Sequence, residues 1–191
     1  DAAPGSARSQ QAGCAGGSVH TRRSKRRRVI GAVRYHDGLS ATPLALLRDA
    51  RLKKVVQLRE LGLDPYPSKS RRTTYAQPIL DQYEGNEGKK VTVAGRLVAW
   101  RKQGALAFGH VQDQTGGIQL MMRRNTLAPT EASAGVLGYE HLNLLDVGDI
   151  VEATGVVGKT QRGEISVMVD EVRLLTKSLR PLPEKWHGLT D

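Results

Sequence analysis

The feature that most restricts the fold is a change of hydrophobic period at Lys90. Before it, Leu44, Leu47, Val55, Leu58 and Leu61 recur at helical spacing; after it, apolar residues alternate with a period of two. The first pattern lays one stripe of a helix on a core, and the second lays one face of each strand there. Residues 91–100 are an expected first strand, with Gly95 where a bulge or bend fits. Residues 105–112 are a second, and the turn formers Asp113-Gln114-Thr115-Gly116-Gly117 lead into a third at 118–123. In that third strand Ile118, Leu120 and Met122 face one way, and Gln119, Met121 and Arg123 the other. Residues 130–145 read as a helix with Leu137, His141 and Leu144 on one side. Residues 150–157 and 165–175 are the last two strands, joined by the polar loop 158–163.

Three meander strands, a helix and a hairpin, in that order, are the pattern of the OB-fold, a five-stranded Greek-key barrel. A β-sandwich normally needs more strands. The expected class is therefore mainly β: an OB barrel with a helix between strands 3 and 4, preceded by an amphipathic N-terminal helix and a disordered basic tail. The expected divisions are a tail at 1–39, the helix with an irregular extension at 40–89, the barrel at 90–177 and a linker at 178–191.

The N-terminal helix has its own punctuation. Thr42 is a good N-cap with Pro43 at the first helical position, Gly62 suits a helix end, and Pro65 and Pro67 forbid continuation. That gives about 18 residues of basic helix, carrying Arg48, Arg51, Lys53, Lys54 and Arg59. Its basic face is read either as solvated or as a contact for an RNA backbone. A short helix is expected around 77–83 within an otherwise irregular extension.

Charge narrows the partner class. The chain carries 29 Lys/Arg and 19 Asp/Glu for a net charge of +10 over 191 residues. Eight of those basic residues and two of the acidic ones lie in residues 1–40, most of them in the run Arg22-Arg23-Ser24-Lys25-Arg26-Arg27-Arg28. Such a run fits an RNA-contacting arm, a nuclear signal, part of a transit peptide, or a solvated tail. A basic surplus favours polyanionic partners. The single cysteine, Cys14, allows no disulfide within the chain, and His20, His36, His110, His141 and His187 have no metal-ligand spacing. No metal or cofactor is expected in this chain. No apolar run approaches the ~20 residues that cross a bilayer, and the expected location is the cytoplasm. The string from Ala153 to Thr160 fits a relaxed P-loop, but strand residues fill its first half and a β run follows, so nucleotide binding is not expected there. Starting at Asp1 and stopping at Asp191, the sequence reads as a fragment, a processed product or an incomplete one.

OB-folds bind ligands on strands 2 and 3, between the loop joining strands 1 and 2 and the loop joining strands 4 and 5. On that face the sequence puts Phe108 in strand 2 and Gln119, Met121 and Arg123 in the outward row of strand 3. Arg101 closes strand 1 and Glu164 opens strand 5. An aromatic ring stacks on an unpaired base, amide and carboxylate groups bond its edge, and arginine holds phosphate or stacks. Lys102, Lys159 and Arg162 are candidate backbone contacts. The competing reading of Phe108 is a core ring of a small barrel. His110 shares its strand face and reads as a half-exposed side chain.

Several strings resemble one family. The stretch Leu174-Leu175-Thr176-Lys177-Ser178-Leu179-Arg180-Pro181-Leu182-Pro183-Glu184-Lys185-Trp186-His187-Gly188-Leu189-Thr190-Asp191 looks like the segment of bacterial-type class II lysyl-tRNA synthetases that joins the anticodon-binding domain to the catalytic domain. Arg59-Glu60-Leu61-Gly62-Leu63-Asp64-Pro65-Tyr66-Pro67 is similar to the opening of those enzymes. Val111-Gln112-Asp113, Gly117-Ile118-Gln119-Leu120, Asp146-Val147-Gly148-Asp149-Ile150 and Gly163-Glu164-Ile165-Ser166 match in order. The resemblance covers about residues 41–191 and favours the lysine enzymes over the aspartyl and asparaginyl ones, which have a related barrel. It implies a domain that recognises the anticodon of lysine tRNA, with Phe108 stacking on the central uridine and Gln119, Glu164 and Arg101 identifying and holding that base. It implies a parent lysine–tRNA ligase, homodimeric and dependent on ATP and Mg2+, whose catalytic motifs lie beyond this chain, so that the chain alone is inactive. The alternative is a stand-alone OB-fold module that binds tRNA or single strands without ligase activity. The family usually has Gly-Lys-Ala-Ser-Phe where Gly104-Ala105-Leu106-Ala107-Phe108 stands, and often an aromatic residue in place of Met121.

Overall fold

The alternation after Lys90 closes on itself. In the computed structural model, which describes residues 42–181, the strands are β1 Lys90–Gln103, β2 Leu106–Gln112, β3 Gly117–Arg123, β4 Ile150–Lys159 and β5 Ile165–Thr176. They form a closed barrel in the order β1-β2-β3-β5-β4. Successive pairs are antiparallel, except that β3 and β5 run parallel. Inward positions fill the interior: Leu97, Ala107, Met122 and Val167 have no exposed surface. β1 changes register between Leu97 and Ala99, two residues past the glycine where a bend was expected. Gly95 itself is required by close approach, since a Cβ there would lie 2.7 Å from the Gln112 carbonyl oxygen. The P-loop-like string runs along β4 to Lys159 and turns directly into β5, with no helix to present a phosphate site.

Between β3 and β4 the helix is shorter than expected. Only Tyr139–Leu144 is helical, and it is a 3-10 helix. Upstream, Gly135 adopts φ 69, Val136 bridges both Glu131 and Arg173, and the Leu137 amide donates to the Val172 carbonyl at 2.8 Å. The Thr130 hydroxyl accepts from the Gly138 amide at 2.9 Å. The left-handed glycine and the backbone bonds to β5 compete with helix formation and win. Leu137 and Leu144 are nevertheless buried, as their spacing suggested.

Helix α1, Pro43–Glu60, starts as the sequence indicates, with the Thr42 hydroxyl accepting from the Ala45 amide at 3.3 Å. Its expected stripe is buried over one half only. Val55 and Leu58 are buried, whereas Leu44 and Leu47 stand 52% and 40% exposed. Two of its basic residues face the protein and not solvent. Arg51, 6% exposed, donates to the carbonyls of Ser178 and Arg180 at 3.0 Å and of Val147 at 2.9 Å. Lys54 bonds Asp146 at 2.6 Å. The extension then crosses the barrel. Its short helices are α2, Ala76–Asp81, and α3, Tyr83–Asn86. Asp113 at the β2–β3 turn accepts from the Ala76 amide at 2.8 Å, which caps α2. The expected tail at 1–39 and residues 182–191 of the linker lie outside the described residues.

Two buried charge clusters fasten these pieces. Glu152 accepts from Arg173 at 2.6 Å, the Ser70 hydroxyl at 2.6 Å and the Arg71 amide at 2.5 Å. Lys177 has no exposed surface at its ammonium and bonds Asp146 at 2.6 Å and Asp149 at 2.7 Å. Asp149 also accepts the amides of Ser178 and Asp146, both at 2.8 Å. Burial works against the charge of Asp146, but the hydrogen bonds and charges of Lys177 and Lys54 outweigh it and hold the carboxyl below its usual range.

Lys177→Ala strips a fully buried carboxylate of its ammonium, and the expected loss in urea denaturation is about 3–5 kcal/mol; a loss within ~0.5 kcal/mol, the range of ordinary surface changes, would mean that the cluster is not an anchor. Because the folded-state value of Asp146 is lowered, its stabilisation is present above the ordinary carboxylate pKa of about 4 and disappears as pH falls through the lowered value. Unfolding curves of wild type and Asp146→Asn should therefore differ most near neutrality and converge in acid. A gap independent of pH would contradict this.

Candidate nucleic-acid interface

Outward side chains of four strands line up in rows across the barrel, and pairing register decides which share a row. Ala99 lies opposite His110, His110 opposite Gln119, and Gln119 opposite Ser166. One step along, Arg101 lies opposite Phe108, Phe108 opposite Met121, and Met121 opposite Met168. A third row has Gln103 opposite Leu106 and Leu106 opposite Arg123.

The middle row is a platform. Phe108 is half-buried, with its neighbours Ala107 and Gly109 turned inward, so it is not a core ring. The Arg101 guanidinium lies 5.2 Å from its ring centroid, within cation–π range. Met121 belongs to the same row but is 8% exposed, so it forms floor and not an open stacking surface. Ala107, which stands where the family has Ser, faces the interior with no exposed surface, so a hydroxyl there would not reach the groove.

The first row is polar and pre-bonded. Gln119 Nε2 donates to Glu164 Oε2 at 2.6 Å, and the Ser166 hydroxyl donates to Gln119 Oε1 at 2.9 Å. A carboxylate only accepts, so the Glu164 contact fixes the amide nitrogen on its own side. The second N–H of Gln119 and the second oxygen of Glu164 remain for a ligand.

Above these rows is a groove of about 650 Å³, bounded by Arg101, Phe108, Gln119, Met121, Arg123, Lys159, Arg162 and Glu164, that is, by every sequence-predicted site residue but one. The exception is Lys102. It turns away toward the 3-10 helix, where its ammonium donates to the Tyr139 carbonyl at 3.0 Å and sits 4.5 Å from that ring. Lys159 also lies 4.3 Å from the Tyr83 ring, so α3 supports the loop between β4 and β5. A second hollow of about 300 Å³ flanks Phe108 on the side of Ala99 and His110.

Sequence reasoning did not pick Ser166 or Met168 for the site. Both enter through the parallel β3–β5 pairing, which no local pattern announces. Chemically, the arrangement offers a ring with one cation beside it, an adjacent donor and acceptor, and Arg123, Lys159 and Arg162 around the rim. That suits a flat heterocycle attached to a phosphate chain. No helix of the described residues is long and apolar enough to cross a membrane.

Comparison with known proteins agrees with this geometry. Residues 91–175 match the family model described as an OB-fold nucleic acid binding domain, which is named for the tRNA anticodon. The chain is 48% identical over 141 residues to a lysine–tRNA ligase of Carboxydothermus hydrogenoformans, covering 74% of this chain and 28% of that protein. It is 43% identical over 145 residues to the lysine–tRNA ligase of Pelotomaculum thermopropionicum, and 44% identical over 151 residues to that of a Nostoc species, covering 76% of this chain and 27% of each. The chain thus spans about 28% of the length of the curated relatives it matches. Its barrel matches the family model of the OB-fold nucleic acid binding domain, and the stretch that carries it is similar to part of the lysine–tRNA ligases.

Proposed function

We propose that the groove reads the anticodon loop of lysine tRNA as the tRNA-binding part of a lysine–tRNA ligase. The observation that carries this reading is the pairing of a half-buried aromatic platform, Arg101 against Phe108, with a pre-bonded base-edge reader, Gln119 with Glu164. Phe108 stacks on an unpaired base, Gln119 and Glu164 meet its edge, and Arg123, Lys159 and Arg162 hold flanking phosphates. Homology to lysine–tRNA ligases supports lysine tRNA as the substrate. In this reading the parent protein works in the cytoplasm as a homodimer and joins lysine to tRNA with ATP and Mg2+, in a portion outside this chain. Among the described residues no three His, Cys, Asp or Glu side chains gather to hold a metal ion.

The direct test is binding of the chain to the anticodon stem-loop of lysine tRNA and to the same loop with its central base replaced. The wild-type loop should bind more tightly, and equal affinity would sink the reading. Phe108→Ala should weaken binding by about 1–3 kcal/mol. Since the ring is only half-buried, that variant should lose about 1 kcal/mol of stability and stay folded. Binding should also weaken with salt, and Arg123→Ala or Arg162→Ala should flatten the log–log slope by about 0.7 for each single-strand phosphate that is no longer neutralised.

A further inference from the structure

We propose that Ser166 is a positioning residue for base selection, acting through the amide of Gln119; this rests on the anticodon-reading function above. Ser166 has no exposed surface, so it cannot itself touch RNA. Its hydroxyl donates to Gln119 Oε1 at 2.9 Å and lies 3.2 Å from the Glu164 backbone carbonyl. The chain of bonds therefore runs from the Ser166 hydroxyl to the Gln119 carbonyl, and from the Gln119 N–H to the Glu164 carboxylate at 2.6 Å.

Both ends of one amide are held in this way, and the polarity is forced. A flipped amide would point its oxygen at the Glu164 carboxylate and lose the hydrogen bond between them. With the amide locked, the groove presents an N–H donor beside a carboxylate acceptor. The matching base edge has a carbonyl next to a ring N–H, which of the two RNA pyrimidines is the edge of uracil and not of cytosine. Cytosine carries an amino group where uracil has that carbonyl, and an unprotonated nitrogen where uracil has the N–H. In the same stacked pose it would put donor against donor and acceptor against acceptor. Without the serine hydroxyl, the Gln119 carbonyl loses its partner and the side chain is tethered at one end only. The amide can then rotate toward the mismatched base, and discrimination falls.

Position 166 reaches Gln119 only because β5 runs parallel beside β3, with the two residues in register. Serine also suits the position: a small side chain with no exposed surface and one hydrogen to give.

The test measures affinity of the full 191-residue chain for two anticodon stem-loops that differ only in uracil or cytosine at the central position. Ser166→Ala should reduce the uracil-to-cytosine affinity ratio about three- to tenfold, the worth of one neutral hydrogen bond. Ser166→Thr, which keeps the hydroxyl, should retain most of the ratio. In a Gln119→Ala background, Ser166→Ala should change the ratio no further, because the serine acts through that amide. An equal loss of affinity for both loops, or an unchanged ratio, would overturn the proposal and make Ser166 a packing residue. A wild type that binds both loops equally would overturn the anticodon reading itself, and this proposal with it. Should Ser166→Ala fail to fold, the Gln119→Ala and Ser166→Thr chains still decide: a full ratio in Gln119→Ala means that the amide selects nothing and the proposal fails.

Discussion

β3 and β5 lie side by side in parallel, Gln119 opposite Ser166 and Met121 opposite Met168, and the geometry of the groove depends on that seam. The other strand pairs join neighbours through turns or return along the barrel's antiparallel ladder. The parallel pair joins strands separated by the stretch from Arg124 to Glu164, which includes β4. Closing it removes the last open edges of the sheet, a liability that barrels avoid. It also sets the chemistry. The loop from β4 to β5 is delivered over β3, so Glu164 arrives at the amide of Gln119. A slip of one residue would turn Ser166 and Met168 outside-in.

A second constraint keeps the barrel attached to what precedes and follows it. The chain enters through α1 and leaves after β5, and both are tied to the same turn before β4. Asp146 accepts from Lys54 of α1 and from Lys177 of the exit, while Arg51 reaches across to the carbonyls of Ser178 and Arg180. Buried ions are costly unless they are paired and bonded, and here Asp146, Asp149, Lys177 and Arg51 each have two or more partners. Salt bridges of this kind specify where segments lie more surely than they add stability. The basic helix, whose charge suggested an RNA contact, thus uses Arg51 and Lys54 to hold its own position. Its remaining charges, among them Arg48, Lys53 and Arg59, stay exposed.

In the proposed function the groove would combine two kinds of recognition that act differently. The platform of Arg101 and Phe108 would accept any base by its π-face and contribute affinity with little selectivity. The amide and carboxylate beside it would discriminate among bases, because their donor and acceptor positions are already set by the bonds from Gln119 to Glu164 and from Ser166 to Gln119. Met121 and Met168 continue the row of Phe108 as an apolar floor, adaptable in shape and without polar demands of its own. The rim cations would add the long-range, salt-sensitive part.

Much of this was legible before folding. The period of two gave all five strands within three residues at either end, because alternation follows directly from the pleat. Gly62, Thr42 and Pro43 bounded α1 because capping is local chemistry. Gln119, Met121 and Arg123 could be placed on one face of β3 from parity alone, whereas Phe108 on β2 could equally have been a core ring. Other features were decided elsewhere. Residues 130–138 carry a helix-like pattern, yet their backbone bonds went to β5, a competitor that sequence proximity does not reveal. Lys102 points away from the face of Arg101, as strand alternation requires, but its partner there, the Tyr139 carbonyl, was supplied by the fold. Leu44 and Leu47 share the stripe of Val55 and Leu58, but only the latter half of that stripe is buried. The sequence by itself determined the elements and the parity of each side chain, since both arise from interactions a few residues long. Only the tertiary structure decided which rows meet across the barrel, and so brought Met168 to the groove and Ser166 to the buried side of Gln119, because register between distant strands is set by closure of the whole sheet.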